Sequence, residues 1–187
     1  MVLETRNVGE SNKLFLLFSR ELGMIDASAQ AVREVKSKLR FSLRDFSVSE
    51  ISLVRGKQGW KITSAVQQVN YADAFGTNSS ALLLTARIFS LLKRLVAGEE
   101  KNITLFEHVR SALTFVEAES LSEEELKNAE CILVLSILDE LGYVQKEADF
   151  AVFVGSVVWS HALLQQFAPF RAKVLVQINT SLRESHM

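Results

Sequence analysis

The stretch "REVKSKLRFSLR" places five cations, Arg33, Lys36, Lys38, Arg40 and Arg44, within residues 33–44. Three more, Arg55, Lys57 and Lys61, flank and occupy "GKQG" at 56–59. From residue 33 to 61, eight Lys or Arg stand against three acids, Glu34, Asp45 and Glu50, in a chain whose formal net charge is −1. An ordinary solvated face mixes signs. A local excess of one sign attracts polyanions, and each cation that neutralises a phosphate releases a counterion. Phe41 and Phe46 lie among these cations, beside Leu39 and Leu43. A ring next to phosphate-binding cations suits single-stranded nucleic acid, because a base stacks on it; Phe41 or Phe46 could take that role, with Phe41 the candidate carried forward. The bland alternative is a solvated loop whose interleaved apolar residues anchor it to a core. Anchoring is the favoured reading for the aromatics, and nucleic acid for the charges.

Other chemistry finds little support. His108, His161 and His186 are far apart and in no metal-ligand spacing, and the single Cys131 cannot build a thiolate zinc site or an internal disulfide. No metal and no cofactor is expected. There is no G-x-S-x-G elbow and no glycine-rich phosphate loop, so no catalytic constellation suggests an enzyme. Cys131, set among apolar neighbours, reads as a small buried residue. His161 reads as a hydrogen-bonded core or rim histidine. Glu123 to Glu125 read as a helix N-terminus, where negative charge is favourable. Arg87 and Arg94 form a polar stripe that either receives an acidic peptide or is simply solvated. Trp159 and Phe170 read as packing residues rather than the lining of a partner groove.

The elements that must position the basic segment follow from periodicity. Apolar residues make up 48% of the 187, enough for a core. "MVLETR", "KLFLLFS" (13–19), "MIDASAQA", "EISLVR" (50–55) and "WKITSAVQQ" give about five short strands in the first seventy residues. Gly23 permits a hairpin between the second and third, and "GKQG" reads as a turn. In the last strand Trp60, Ile62 and Val66 are expected on one face. Five twisted strands of this length suit a small closed barrel. After Tyr71 the period becomes helical. "SSALLLTARIFSLLKRLVAG" reads as a helix ended by Gly98. Phe106, Val109, Leu113 and Val116 form one stripe, and Ser122 with Glu125 has capping-box spacing. Val174, Ile178 and Leu182 space a last helix beyond Pro169. The expected organisation is α+β: a five-stranded barrel over 1–72, then an all-helical domain over 73–187.

Charge follows that order. From Glu99 to Asp149, thirteen acids face four Lys or Arg. The uncharged stretch 150–170 is too polar to span a membrane. The start lacks a basic region followed by an apolar run, so a cytoplasmic location is expected.

"VGESNKLFLLFSRELGMI" resembles the opening of the bacterial RecO family. Gly9, Glu10 and Ser11 match its turn, Leu14, Leu17 and Phe18 its apolar strand, and Ser19, Arg20, Glu21 and Gly23 its "SREHG" element. Lys36, Ser37, Lys38, Leu39 and Arg40 match a basic "K-S-x-L-R", and Leu43 to Ser47 a later "L-x-F-S". "LDELGYV" at 138–144 is similar to the helix end before the family's zinc-binding region. The resemblance covers residues 5 to 70 well and the helical part loosely. It implies an N-terminal OB-fold, a helical C-terminal domain and a mediator of DNA repair and homologous recombination. Such a mediator binds and anneals single-stranded DNA and assists recombinase loading, with RecR and single-strand-binding protein as partners. On that reading Arg33, Lys36, Lys38, Arg40, Arg44, Arg55, Lys57 and Lys61 contact DNA, and Arg87 and Arg94 are candidates for a partner. The chain departs from the family in two ways. The segment after "LGY" has no cysteine, and the chain is short. The alternative is a non-enzymatic interaction scaffold that kept the fold and lost DNA binding.

Overall fold

The computed structural model describes residues 1–34, 36–144, 148–155 and 158–184. Short apolar runs, alternating in β4 and β5 and continuous in β2, produce β1 (Val2–Val8), β2 (Asn12–Ser19), β3 (Gly23–Ala29), β4 (Ser47–Gly56) and β5 (Gly59–Asn70). They form one sheet in the order β1-β2-β3-β5-β4. All neighbours are antiparallel except β3 and β5, which run parallel with Ala27 opposite Trp60 and Ser28 opposite Lys61. This is the expected OB-type arrangement. One face buries Val2, Phe15, Leu17, Ile25, Ala27, Ala29 and Ile62. Val32 and Leu43 from the β3–β4 connection complete that interior.

The expected closure of the barrel is not made. β1 and β4 end the strand order, and no ladder joins them. One bond crosses the gap: the Phe46 N–H donates to the Val2 carbonyl at 3.1 Å, just before β4 begins. Beyond that point β4 pairs with β5 alone. The β4–β5 register also shifts, between Val48 and Ser49 and between Ser52 and Leu53. At the second shift Ser52 faces Ser64 while Leu53 faces Ile62, so Thr63 is the extra residue. An extra residue inverts the alternation downstream. Ile62 and Ala65 therefore lie against the core, and Val66, expected beside Ile62, is 66% exposed.

The β3–β4 connection contains α1 (Leu39–Ser42). Two helices follow the sheet. In α2 (Tyr71–Phe75) the Asn70 side chain caps the start by accepting from the Asp73 N–H at 3.1 Å. In α3 (Ser79–Leu95) Asn78 does the same for Ala81, also at 3.1 Å. The helix stops at Leu95, before the Gly98 that the sequence suggested as its end. α3 is held to the sheet region by Phe89 stacked on Phe46, with ring centroids 5.6 Å apart, and by a Lys93–Glu4 ion pair. The chain accordingly divides into compact units at Met1–Asn102 and Ile103–Met187. The change from strand to helix falls at Tyr71, but the first two helices of the run belong to the sheet's unit.

The second unit contains α4 (Ile103–Ala118), α5 (Glu123–Glu140), α6 (His161–Phe167) and α7 (Arg171–Glu184). The α4 stripe of Phe106, Val109, Leu113 and Val116 is buried, as spaced. Ser122 and Glu125 form the capping box at the start of α5. Pro169 sits in the turn Ala168–Phe170 between α6 and α7. Buried Asn128 donates to the Leu164 carbonyl and accepts from Arg171, both at 3.0 Å, so one amide ties α5 to α6 and α7. Among the described residues no helix is long and apolar enough to cross a membrane.

The β2–β3 turn explains the "SREHG"-like element. The Ser19 hydroxyl accepts from the Glu21 and Leu22 N–H groups at 3.3 and 3.2 Å, which folds the chain back. Gly23 then takes φ +73°, and a Cβ there would lie 2.1 Å from the Glu100 carbonyl oxygen. Only glycine lets residues 98–100 lie this close. Gly59, at φ +99°, has nothing within 4 Å of a Cβ. Gly59→Ala is expected to cost about 1 kcal/mol for the left-handed backbone alone. Gly23→Ala should cost about 1–3 kcal/mol more, because backbone must also move. Urea denaturation of the two variants side by side measures the difference.

Candidate nucleic-acid interface

α1 explains how charged and apolar residues share one segment. Leu39 and Leu43 are four apart, and the Leu43 N–H donates to the Leu39 carbonyl at 3.1 Å, so both lie on one helical face. Leu43 is 1% exposed in the sheet interior, and Leu39 packs against the same core. Residues between them point away: Arg40 is exposed and Phe41 is 66% exposed. Phe46 is different. It has φ +67° and stacks on Phe89, so it anchors the entry to β4 and is not available to a base. The anchoring reading therefore describes Leu39, Leu43 and Phe46, while Phe41 stands out from the surface.

The cations fall into three situations. Lys36, Lys38 and Arg40 are exposed and, among the described residues, make no ion pair. Arg33 is exposed and fastened to the β1–β2 turn: its N–H donates to the Ser11 carbonyl at 3.2 Å and its guanidinium to the Gly9 carbonyl at 3.3 Å. Arg44 is paired through both terminal nitrogens with the Asp73 carboxylate of α2. Hydrogen bonding to Arg44 lowers the Asp73 pKa, and the same bond raises that of Arg44.

The β4–β5 hairpin carries the rest. Lys57 and Lys61 are exposed and make no ion pair among the described residues. Lys61 lies on the outer face in one row with Ser28 of β3, Leu14 of β2 and Arg6 of β1. Arg55 lies over the Trp60 ring, 5.1 Å from its centroid, and pairs with Glu99 at 2.9 Å. The fold thus brings Arg33, the β1–β2 turn and the hairpin strand β5 to connected strands. In OB-folds these two loops border the ligand face. α1 packs against β5 as well, and the Ser49 hydroxyl bonds the Ser42 carbonyl at 2.5 Å.

Sequence reading missed four residues here. Lys13 is the second residue of β2, just after the same β1–β2 turn, and an isolated lysine carries no pattern. Asp73, Trp60 and Glu99 are partners of cations, and nothing in the spacing of Glu99 from Arg55 announces their contact. The neighbouring row of the outer face, Glu4, Leu16 and Asp26, carries carboxylates, and Arg6 is paired with Glu4 at 2.6 Å.

The remaining candidates separate from this surface. Arg87 and Arg94 are exposed on α3. Cys131 is buried at 4% exposure, and burial pushes its thiol up to about 12. Trp159 stacks on Phe115 at 6.1 Å, and Phe170 packs on Phe150 and Phe153. His161 Nδ1 and the Glu125 carboxylate share a hydrogen bond of 2.7 Å, with Glu119 3.5 Å from Nε2. His186 lies outside the described residues. Among the described residues no group of three His, Cys, Asp or Glu is placed to hold a metal.

A five-stranded sheet in this order, with an exposed basic connection between β3 and β4, defines an OB-type domain. Residues 1–75 match the family model described as "Recombination protein O N terminal". This stretch is similar to the RecO N-terminal family, and similarity to RecO proteins continues into the helices. A "DNA repair protein RecO" from Desulfitobacterium hafniense (strain DSM 10664 / DCB-2) is 30% identical over 146 residues, 76% of this chain and 50% of that protein. One from Dehalococcoides mccartyi (strain ATCC BAA-2266 / KCTC 15142 / 195) is 30% identical over 67% of this chain and 49% of its own length. One from Synechocystis sp. is 30% identical over 66% of this chain and 45% of its own. The chain spans about half the length of the curated relatives it matches.

The anchor and the exposed ring should separate on substitution. Leu43→Ala removes a buried side chain and should cost about 2–5 kcal/mol. Phe41→Ala should stay within about 0.5 kcal/mol. Thermal unfolding of both variants checks this. The His161–Glu125 pair should respond to pH. His161 is raised above its ordinary 6.5, first by Glu125, so its contribution is complete below that value and is lost as pH rises through the raised pKa. Glu125 is lowered from 4.5 to about 2, first by His161 and then by Ser122, so its contribution is present above 4.5 and lost as pH falls towards about 2. The coupling from a His161→Ala, Glu125→Gln double-mutant cycle should be largest between those ordinary values, smaller at alkaline pH and smaller in strong acid.

Proposed function

We propose that this protein is a mediator of DNA repair and homologous recombination that binds single-stranded DNA, anneals it and assists recombinase loading. The observation that carries the reading is the exposure of Lys36, Lys38 and Arg40, without acid partners among the described residues, in a RecO-type N-terminal unit. The names of the relatives support the repair role. Annealing needs strand charge neutralised and bases left able to pair, which unpaired cations in a connection anchored to the sheet core supply without a catalytic group. Arg33, Lys57 and Lys61 extend the contact towards the β1–β2 turn and the β4–β5 hairpin. Exposed Phe41 offers a ring to a base. Arg44 and Arg55 reach phosphate only by leaving Asp73 and Glu99. Single-strand-binding protein and RecR are the proposed protein partners, with Arg87 and Arg94 on α3 as the surface for an acidic peptide.

The alternative is a scaffold with the same fold and no DNA binding, and a salt titration separates the two. Each neutralised phosphate of a single strand contributes about 0.7 to the log-affinity versus log-salt slope, so about four contacts give roughly −3. Replacing Lys36, Lys38 and Arg40 together by Ala should flatten the slope to about −1, weaken binding similarly for all sequences, and leave stability nearly unchanged. An unchanged slope in that variant removes DNA binding from this segment, and no binding by the parent protein at low salt leaves the scaffold.

A further inference from the structure

Arg55 and Trp60 face each other across the β4–β5 hairpin, and both donate to one carboxylate. Arg55 Nη1 reaches Glu99 Oε2 at 2.9 Å, and Trp60 Nε1 reaches Glu99 Oε1 at 3.1 Å. Each oxygen of the carboxylate thus has its own donor. The guanidinium is held in place from below by the Trp60 ring, which itself packs against the sheet core. Donors so placed would take the two non-bridging oxygens of a phosphodiester in the same way.

Glu99 is brought there by a strap, residues 98–101, fixed at both sides of it. The Met24 N–H donates to the Gly98 carbonyl at 3.0 Å, Glu100 lies in the space left by Gly23, and Lys101 pairs with Glu21 at 2.7 Å. The strap's backbone is tied to β3, but its hold on the hairpin is the Glu99 side chain, whose pair with Arg55 is solvent-exposed and therefore weak. A phosphate can replace the side chain without moving the backbone.

We propose that Arg55 and Trp60 form a phosphate subsite for single-stranded DNA, and that Glu99 occupies it as an internal anion until DNA displaces it. The inference rests on the DNA-binding reading above and adds the subsite and its regulation. It makes Trp60 a binding residue through its indole N–H and makes Glu99 a brake on affinity.

The test uses the full chain and an oligo-dT probe. Glu99→Gln keeps the shape and removes the competing charge. It should tighten binding about two- to fivefold at moderate salt, the range set by a weak exposed ion pair. Once Arg55 neutralises a phosphate fully, the salt slope should steepen by up to about 0.7. Arg55→Ala in the Glu99→Gln background should remove the gain, and Trp60→Phe in that background should reduce it. A second readout needs no change at Glu99. In a Trp159→Phe background, Trp60 is the one tryptophan left, and its emission should change on adding oligo-dT as the indole N–H exchanges carboxylate for phosphate. DNA binding with unaltered Trp60 emission, or equal affinity and slope for parent and Glu99→Gln, overturns the subsite and leaves the DNA-binding reading standing. Absence of oligo-dT binding by both at low salt overturns both.

Discussion

The burial of Leu43 in the interior of the sheet is the contact on which the basic surface depends. A connection between β3 and β4 that carried only Lys and Arg would have no reason to adopt one conformation. Leu43, with Val32 at its other end and Leu39 beside it, inserts apolar surface into the core that β1, β2, β3 and β5 already form. Removing that surface from water supplies the ordering free energy. The helical spacing of Leu39 and Leu43 then decides what faces out. Lys36, Lys38, Arg40 and Phe41 are displayed because their neighbours are spent on the core.

The second constraint is electrostatic. Eight cations in 33–61 would repel one another on one face, and the fold relieves that repulsion selectively. Asp73 takes Arg44 and Glu99 takes Arg55, each from a segment that follows the strands. Arg33 is turned onto backbone carbonyls. What remains exposed and unpaired is a smaller set than composition suggests, concentrated near α1 and at the hairpin. On the outer sheet face the Glu4 carboxylate is shared by Arg6 and Lys93, which with Asp26 leaves that group of side chains close to neutral, so the unpaired positive charge lies in the β3–β4 connection and at the hairpin.

The helices after the sheet serve the same unit. α2 presents Asp73 to Arg44, α3 presents Phe89 to Phe46 and Lys93 to Glu4, and the strap beyond α3 reaches the hairpin. A unit ending at the last strand would lack all of these contacts. This accounts for the division at Asn102 rather than near Tyr71.

Local chemistry was legible in the sequence wherever neighbours in the chain decide it. Short apolar runs and alternation placed the five strands, Ser122 and Glu125 announced the start of α5, the stripe of α4 was buried as spaced, and the glycine of "SREHG"-like form marked the β2–β3 turn. The local charge excess marked the segment that carries the proposed interface. Tertiary structure decided the rest, because the deciding partners are distant in sequence. Which cations are unpaired depends on Asp73 and Glu99, whose contacts with Arg44 and Arg55 carry no periodic signal. Thr63 inverts the face of Val66 because β4 pairs with one residue fewer, a fact of the strand pair and not of either strand alone. The sheet stays open because beyond Phe46 β4 pairs only with β5. Sequence therefore indicated the strands, the long helices and the candidate residues, while the short α1 and α2 and the choice among the candidates came from tertiary packing, which gave some of them partners.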